Sequence, residues 1–443
     1  MYLSNRTICV RLDNIQWLLF NTLSGALDII DKDLANNLRQ KRWSVISPEI
    51  KKSLLERGYL FESHKKEVSE FLKLCEVIRE RESKLAPEFV VIPTYQCNLR
   101  CQYCYEGNLQ YKGSLLNGKL LSLLWHAMDE ITSSYIYEET PKLTLLGGEP
   151  LLKPNYDIIA NILGGCFQRR WTVEITTNGT TLTRYASLLS RYQVKGIQVT
   201  LDGTRDIHDQ RRAFPSGRGS FDQILEGITS SIIKGIKVYL RVNLDSQNLD
   251  YLPSLAIFIQ EKGWLESGLV FPYLYPMSDS GCLRQLHIVK EAKLLGKVIE
   301  LSKKYPEMNV FQWKFHGIDQ IEAVLHGKTF SPMFRFCSAT KNQYVFDPLG
   351  KIYACWWGVG NKQFEIGVFA PKLRWYQDNL DKWRHRDVLT ISRCSQCKFA
   401  LICGGGCTEK AIREEGGIDQ PRCSSFSEII SLAAPFLIKQ QQL

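Results

Sequence analysis

The sequence predicts an α/β protein. Its centre is an open, partial (β/α)6 TIM-like barrel, flanked by a small N-terminal α+β domain and a cysteine-rich C-terminal domain. Three observations predict this. Between Glu88 and Tyr305, short apolar runs alternate six times with amphipathic stretches. Such alternation means parallel strands joined by right-handed helical crossovers. Residues 1–87 instead read as short strands and turns followed by two helices. Seven of the fourteen cysteines fall between 337 and 423. A chain of 443 residues has room for three such domains, at 1–87, 88–305 and 331–443, with 306–330 as a linker.

In the N-terminal region, Thr7–Leu12, Gln16–Phe20 and Ala26–Ile30 read as strands, with a turn at Asn21–Gly25. Ser47-Pro48-Glu49 is a helix start: a capping hydroxyl, a proline at the first helical position, then an acid. Gly58 sits where that helix stops, and Tyr59–Phe61 follows as a strand. A second helix covers Ser63 to Lys84, with Val68, Phe71, Leu72 and Cys75 on one stripe. A winged-helix-like peptide-binding module and a plain cap on the next domain both satisfy this pattern.

The barrel strands are Phe89–Pro93, Lys142–Leu146, Thr172–Thr176, Gly196–Leu201, Ile236–Val242 and Leu269–Tyr275, with helices such as Gly118–Thr132 and Phe221–Lys234 between them. Six units are too few to close an eight-stranded barrel. Active sites of such folds lie at the C-terminal strand ends. The conspicuous residues lie there: Cys97, Gly147-Gly148-Glu149-Pro150, Thr177-Asn178-Gly179, Thr200–Gly203 and Arg241–Asn243.

Composition excludes little. Hydrophobic content of 44% and charged content of 23% are ordinary for a globular protein. The longest apolar stretches, such as Ser431–Ile438, are too short to cross a membrane, and the first residues lack a secretory pattern. A cytoplasmic location is expected. There, thiols stay reduced, and clustered cysteines point to metal rather than disulfides. Cys9, Cys75, Cys166 and Cys282 are scattered and read as small buried side chains. The charge of +10 favours anionic partners. No basic helix interleaved with aromatics stands out, so nucleic acid is not favoured.

Cys97, Cys101 and Cys104 form a C-x3-C-x2-C run. Iron–sulfur clusters normally take four cysteines, so three point to a cluster with one iron open. The run resembles that of the radical S-adenosylmethionine (SAM) enzymes. The resemblance implies a 4Fe–4S cluster on these three thiolates, with SAM capping the open iron. It implies that Gly147, Gly148 and Glu149 hold the SAM amino group. Asn178 and Thr200 would face its ribose or carboxylate, and Arg211 or Arg241 would pair with that carboxylate. The stretch Thr200-Leu201-Asp202-Gly203…His208-Asp209…Arg211-Arg212 resembles peptide-modifying members. His208 reads as a structural turn residue rather than a base.

The second cysteine group is Cys337, Cys355, Cys394, Cys397, Cys403, Cys407 and Cys423, with Gly350 between the first two. Asp347-Pro348-Leu349-Gly350 fits a tight β-turn between strands Gln343–Phe346 and Lys351–Ala354. In isolation, Cys394/Cys397 with Cys403/Cys407 would suit zinc. The whole set resembles the SPASM domain, an extension of radical SAM enzymes that mature peptides. That resemblance implies one auxiliary 4Fe–4S cluster on Cys394, Cys397, Cys403 and Cys423. It implies a second on Cys337, Cys355 and Cys407, with either an open iron or a distant thiol such as Cys282. Trp356-Trp357 follow Cys355 where sulfatase-maturating relatives carry an acid, which disfavours formylglycine formation.

The resemblance therefore implies a peptide maturase. Its 5′-deoxyadenosyl radical would take a hydrogen from a precursor peptide and close a thioether or carbon–carbon cross-link. Partners would be that precursor and an electron donor such as a flavodoxin or ferredoxin. Epimerisation, sulfatase-type formylglycine formation or another side-chain oxidation, cofactor biosynthesis from a peptide, or a zinc-stabilised binding protein for nucleic acid or acidic partners are the alternatives.

Overall fold

The computed structural model describes residues 1–109, 115–277 and 288–441. The chain divides into two compact units. One comprises Met1–Ser83, Phe315–Lys341 and Arg384–Leu443; the other comprises Lys84–Lys314 and Asn342–Trp383.

In the first unit, β1 (Tyr2–Leu3), β2 (Thr7–Arg11), β3 (Gln16–Asn21), β4 (Leu27–Asp31) and β5 (Leu60–Phe61) form two small antiparallel sheets, β2-β3-β4 and β1-β5. The Ser47 hydroxyl accepts the Ile50 N–H at 3.3 Å and starts the helix Pro48–Glu56 as expected. A further helix, Lys32–Arg39, was not anticipated because it carries few apolar residues; Asp31 caps it by accepting from Leu34 N–H. Leu19, Leu38, Ile46, Leu54, Tyr59 and Leu60 make the local core. The expected second helix runs His64–Ser83, but its stripe differs. Phe71 and Cys75 are buried while Val68 and Leu72 are exposed, because the buried face also takes Glu67. The N-terminal elements share their unit with the C-terminal helices: Phe426–Gln441 packs against Ile318–Leu325 and against β2. Residues 318–325 were expected as linker. Their helix has an apolar face too short to register as a periodic pattern.

The second unit is built on one sheet of eleven strands. Its six expected strands are β6 (Glu88–Val91), β7 (Lys142–Leu145), β8 (Thr172–Thr177), β9 (Gly196–Thr200), β10 (Val238–Leu244) and β11 (Val270–Pro276). They lie side by side in sequence order, each pair parallel. The sheet extends beyond them. β12 (Gln312–Trp313) adds in parallel to β11, and β13 (Gln343–Phe346) adds in parallel to β6. From β13, the strands β14 (Lys351–Tyr353), β15 (Glu365–Val368) and β16 (Arg374–Trp375) continue antiparallel. The expected hairpin at Asp347–Gly350 thus exists but joins the parallel sheet. Its turn is held by Asp347, whose side chain accepts the N–H groups of Leu349 and Lys351 at 3.0 and 2.8 Å. Among the described residues, no helix is long and apolar enough to cross a membrane.

Candidate functional site

The loop after β6 carries Cys97, Cys101 and Cys104. Its entry is fixed by buried Tyr95, whose hydroxyl donates to Asp347 Oδ2 at 2.8 Å. The neighbouring loop, after β7, is pressed against it. A Cβ on Gly148 would lie 2.3 Å from the Gln96 carbonyl oxygen, closer than any real contact. Only glycine allows this backbone-to-backbone approach. Glu149 is fully buried and ties three strand ends together. Its Oε1 accepts from Leu151 N–H at 2.8 Å and Thr177 Oγ1 at 2.7 Å, and its Oε2 accepts from Asn178 N–H at 2.6 Å. Burial raises the Glu149 pKa, and those three donors offset only part of the rise. Its carboxylate therefore serves the cradle itself before any ligand. Asn178 passes the link on: Nδ2 donates to Asn98 Oδ1 at 2.8 Å and to Cys97 Sγ at 3.7 Å.

The two arginines behave differently from expectation. Arg211 is buried between two carboxylates. Its Nη1 lies 2.8 Å from Asp245 Oδ2 and its Nε 3.3 Å from Asp202 Oδ2. Nη2 donates to the Asn243 carbonyl. Arg211, expected beside the SAM carboxylate, is thus held within the protein by Asp202, Asp245 and the Asn243 carbonyl. Arg241 stacks on Tyr275 at 3.9 Å and donates from Nε to Asn243 Oδ1 at 2.7 Å. Sequence reasoning quoted Arg212 but gave it no role. It is buried, donates from Nη1 to Tyr103 Oη at 2.7 Å, and leaves Nε with no partner in the protein. Two adjacent arginines at a helix end cannot be told apart by pattern. Burial would raise the Asp202 carboxyl, but Arg211 and Arg212 overcome this and hold it low. His208 is structural as expected: Nδ1 accepts from Asp202 N–H at 3.2 Å, and Nε2 meets Ser220 Oγ at 3.1 Å.

A cavity of about 380 Å³ opens along the inward face of the sheet. Thr200, Arg241, Asn243 and Tyr275 line it from the strands; Tyr103 and Tyr105, on either side of Cys104, line it from the loop. Trp356 and Trp357 close one wall, and Trp357 packs on Tyr105 with ring centres 4.8 Å apart. Cys355 lies in this unit, buried next to those tryptophans. Glu106 was also missed. Burial pushes its carboxyl up to about 8, eased by the Tyr105 hydroxyl.

In the other unit, Cys394, Cys397, Cys403 and Cys423 influence one another electrostatically, as do Cys337 and Cys407. The turn carrying Cys394 and Cys397 is gripped by the N-terminal segment. Arg6 donates to the Cys397 carbonyl at 2.6 Å and to the Ser395 carbonyl, and Thr22 donates to the Lys398 carbonyl at 3.0 Å. Cys75 and Cys166 are fully buried, Cys9 is half-buried, and Cys282 lies outside the described residues.

The donors suit an iron–sulfur cluster. Burial pushes the Cys97 thiol up to about 12, with Cys101 and Glu149 adding to it, and burial also raises Cys101 and Cys104. Bound metal would offset that cost by favouring thiolate. The Gly147–Gly148 backbone packs on the start of the thiol loop, and Arg212 Nε is buried without a hydrogen-bond partner in the protein. Among the described residues no three His, Cys, Asp or Glu close on a site for a single ion; a cluster spreads its ligands over separate corners.

Residues 91–259 match the Radical SAM superfamily model. Curated relatives include GTP 3′,8-cyclases of Bradyrhizobium diazoefficiens (34% identical over 43% of this chain and 53% of that one) and Rhizobium etli (33% over 38% and 47%). The chain thus spans about half the length of the curated relatives it matches. Among solved structures, anSMEcpe with bound AdoMet superposes with a TM-score of 0.62 at 19% identity, covering 80% of this chain and 99% of that one. SuiB of Streptococcus suis bound to S-adenosylmethionine gives 0.56 at 17%, covering 96% and 99%. Both share the fold. The likeness to the radical SAM superfamily is therefore carried by residues 91–259.

Proposed function

We propose that this protein is a radical SAM peptide maturase that cross-links residues of a ribosomally made precursor. The observation that carries the reading is one cavity shared by the thiol loop and an aromatic wall. Tyr103 and Tyr105 flank Cys104 and face the same space as Trp356, Trp357 and Tyr275. Structures of the same fold include SuiB bound to precursor peptide SuiA and anSMEcpe with a bound peptide, which supports a peptide substrate here.

Cys97, Cys101 and Cys104 would hold the cluster, and Gly147, Gly148, Asn178, Thr200, Arg212 and Arg241 would surround SAM. When bound, the two supply a 5′-deoxyadenosyl radical that takes hydrogen from carbon. Asn178 steadies the Cys97 sulfur, and Glu149 fixes Asn178. The tryptophan wall excludes water and orients the peptide side chain. Closing a cross-link is a two-electron oxidation. The first electron of that oxidation leaves the peptide with the hydrogen atom taken into 5′-deoxyadenosine; the C-terminal cysteines would hold auxiliary clusters to receive the second as its proton goes to solvent, and a flavodoxin or ferredoxin would supply the separate electron that cleaves SAM.

The test is anaerobic reconstitution with iron, sulfide and a strong reductant. The variant Cys97→Ala/Cys101→Ala/Cys104→Ala should make no 5′-deoxyadenosine while keeping its other iron; continued production would overturn the assignment. A precursor peptide co-expressed with the enzyme should lose two hydrogens by mass spectrometry. An unchanged mass with inverted stereochemistry would mean epimerisation instead. The curated relatives favour one second reading, a nucleotide substrate. Conversion of GTP, with peptides left untouched, would establish it.

A further inference from the structure

Arg386 grips the turn between Cys403 and Cys407. It is buried, and its three nitrogens have different surroundings. Nη2 donates to the Gly405 and Gly406 carbonyls at 2.9 and 3.3 Å, and Nε donates to Thr408 Oγ1 at 3.0 Å. Nη1 is buried with no partner in the protein. The carbonyls it grips belong to the short turn from Cys403 to Cys407. That turn packs closely on the chain before Cys423: a Cβ on Gly406 would lie 1.9 Å from the Arg422 carbonyl oxygen. Cys403 neighbours Cys394, Cys397 and Cys423, whereas Cys407 neighbours Cys337. The guanidinium feels thiols of both sets: Cys394, Cys407, Cys337 and Cys403.

A buried cation without a carboxylate is costly. Among the described residues, none of the ion pairs involves Arg386. A buried N–H left without an acceptor costs more. Both costs vanish if anionic sulfur is the missing partner, since thiolate-ligated clusters carry negative charge and accept hydrogen bonds at sulfur.

We propose that Arg386 is a positioning residue shared by both auxiliary thiol sets: it braces the turn between them through Nη2 and Nε, and its Nη1–H donates to cluster sulfur. Its fixed positive charge stabilises the reduced, more negative state, which raises the reduction potential of the auxiliary clusters. This rests on the reading that the C-terminal cysteines hold iron–sulfur clusters.

The experiment uses the full chain carrying Cys97→Ala/Cys101→Ala/Cys104→Ala, so that only auxiliary clusters report. Arg386→Gln and Arg386→Lys are made in that background. Iron and sulfide are assayed, and reduction is followed by electron paramagnetic resonance during a potentiometric titration. Lysine keeps the charge; glutamine loses it. The expected result is a lysine variant whose potential lies closer to the parent's than the glutamine variant's does, because lysine keeps the charge while losing the forked brace. The glutamine variant should have its reduction equilibrium about tenfold less favourable, a 59 mV drop for one electron, or should fail to retain the clusters. Any pattern in which the lysine and glutamine variants behave alike overturns the inference. Absence of auxiliary iron in the parent itself would instead sink the cluster reading on which the inference stands.

Discussion

The Glu149 carboxylate accepts the Asn178 backbone N–H at 2.6 Å, and the Asn178 side chain reaches the Cys97 sulfur at 3.7 Å. One acid thereby couples the loops after β7 and β8 to the thiol loop after β6. Glu149→Gln replaces one acceptor oxygen by an NH₂ that faces donors. It should cost about 1–3 kcal/mol of stability, the range for a buried hydrogen bond left unmade. It should also lower SAM binding. Chemical denaturation and calorimetric SAM titration check both.

Gly148→Ala should abolish 5′-deoxyadenosine formation. Its methyl would meet the Gln96 carbonyl oxygen at 2.3 Å and force the two loops apart. Gly118→Ala is the control: nothing lies within 4 Å of its Cβ position, so activity should be unchanged. Product assay by liquid chromatography separates them.

Arg211 and Arg241 should separate stability from function. Arg211→Met leaves Asp202 and Asp245 buried without their cation and should cost about 3–5 kcal/mol. Arg241→Met loses one stacking contact, worth roughly 1 kcal/mol. It should instead weaken SAM or substrate binding. Thermal melts of both, beside SAM titrations, give the comparison.

His208 makes the fold acid-sensitive. Burial, then the Arg212 charge, lowers its pKa to about 3 from 6.5. Below pH 6.5 the unfolded chain takes up a proton that the folded chain refuses, so stability falls as pH drops toward 3. At pH 5 the loss is about 2 kcal/mol from this residue. His208→Gln should flatten the stability profile between pH 7 and 5, measured by urea denaturation.

The tryptophan wall of the cavity should be dispensable for SAM cleavage. Trp357→Ala removes the ring packed on Tyr105. It should reduce peptide modification at least tenfold while 5′-deoxyadenosine still forms. Both products are read from one reaction by mass spectrometry.

What the sequence determined by itself is local: the six strands β6 to β11, the capped helix at Ser47, the turn at Asp347, and the residues crowded at the strand ends. Short-range periodicity, capping and turn chemistry encode those directly. Tertiary structure decided everything that depends on partners far along the chain. The two-residue strand β12 and the parallel pairing of β13 with β6 draw their order from a neighbour's hydrogen bonds, which no local pattern announces. The same holds for side chains of one type. Arg211, Arg212 and Arg241 are alike in composition, yet two buried aspartates claim the first, the Tyr103 hydroxyl takes the second, and a tyrosine face carries the third. Charge is written in the residue; whether it is already neutralised depends on what folding brings within 3 or 4 Å, where Coulomb and hydrogen-bond energies become large.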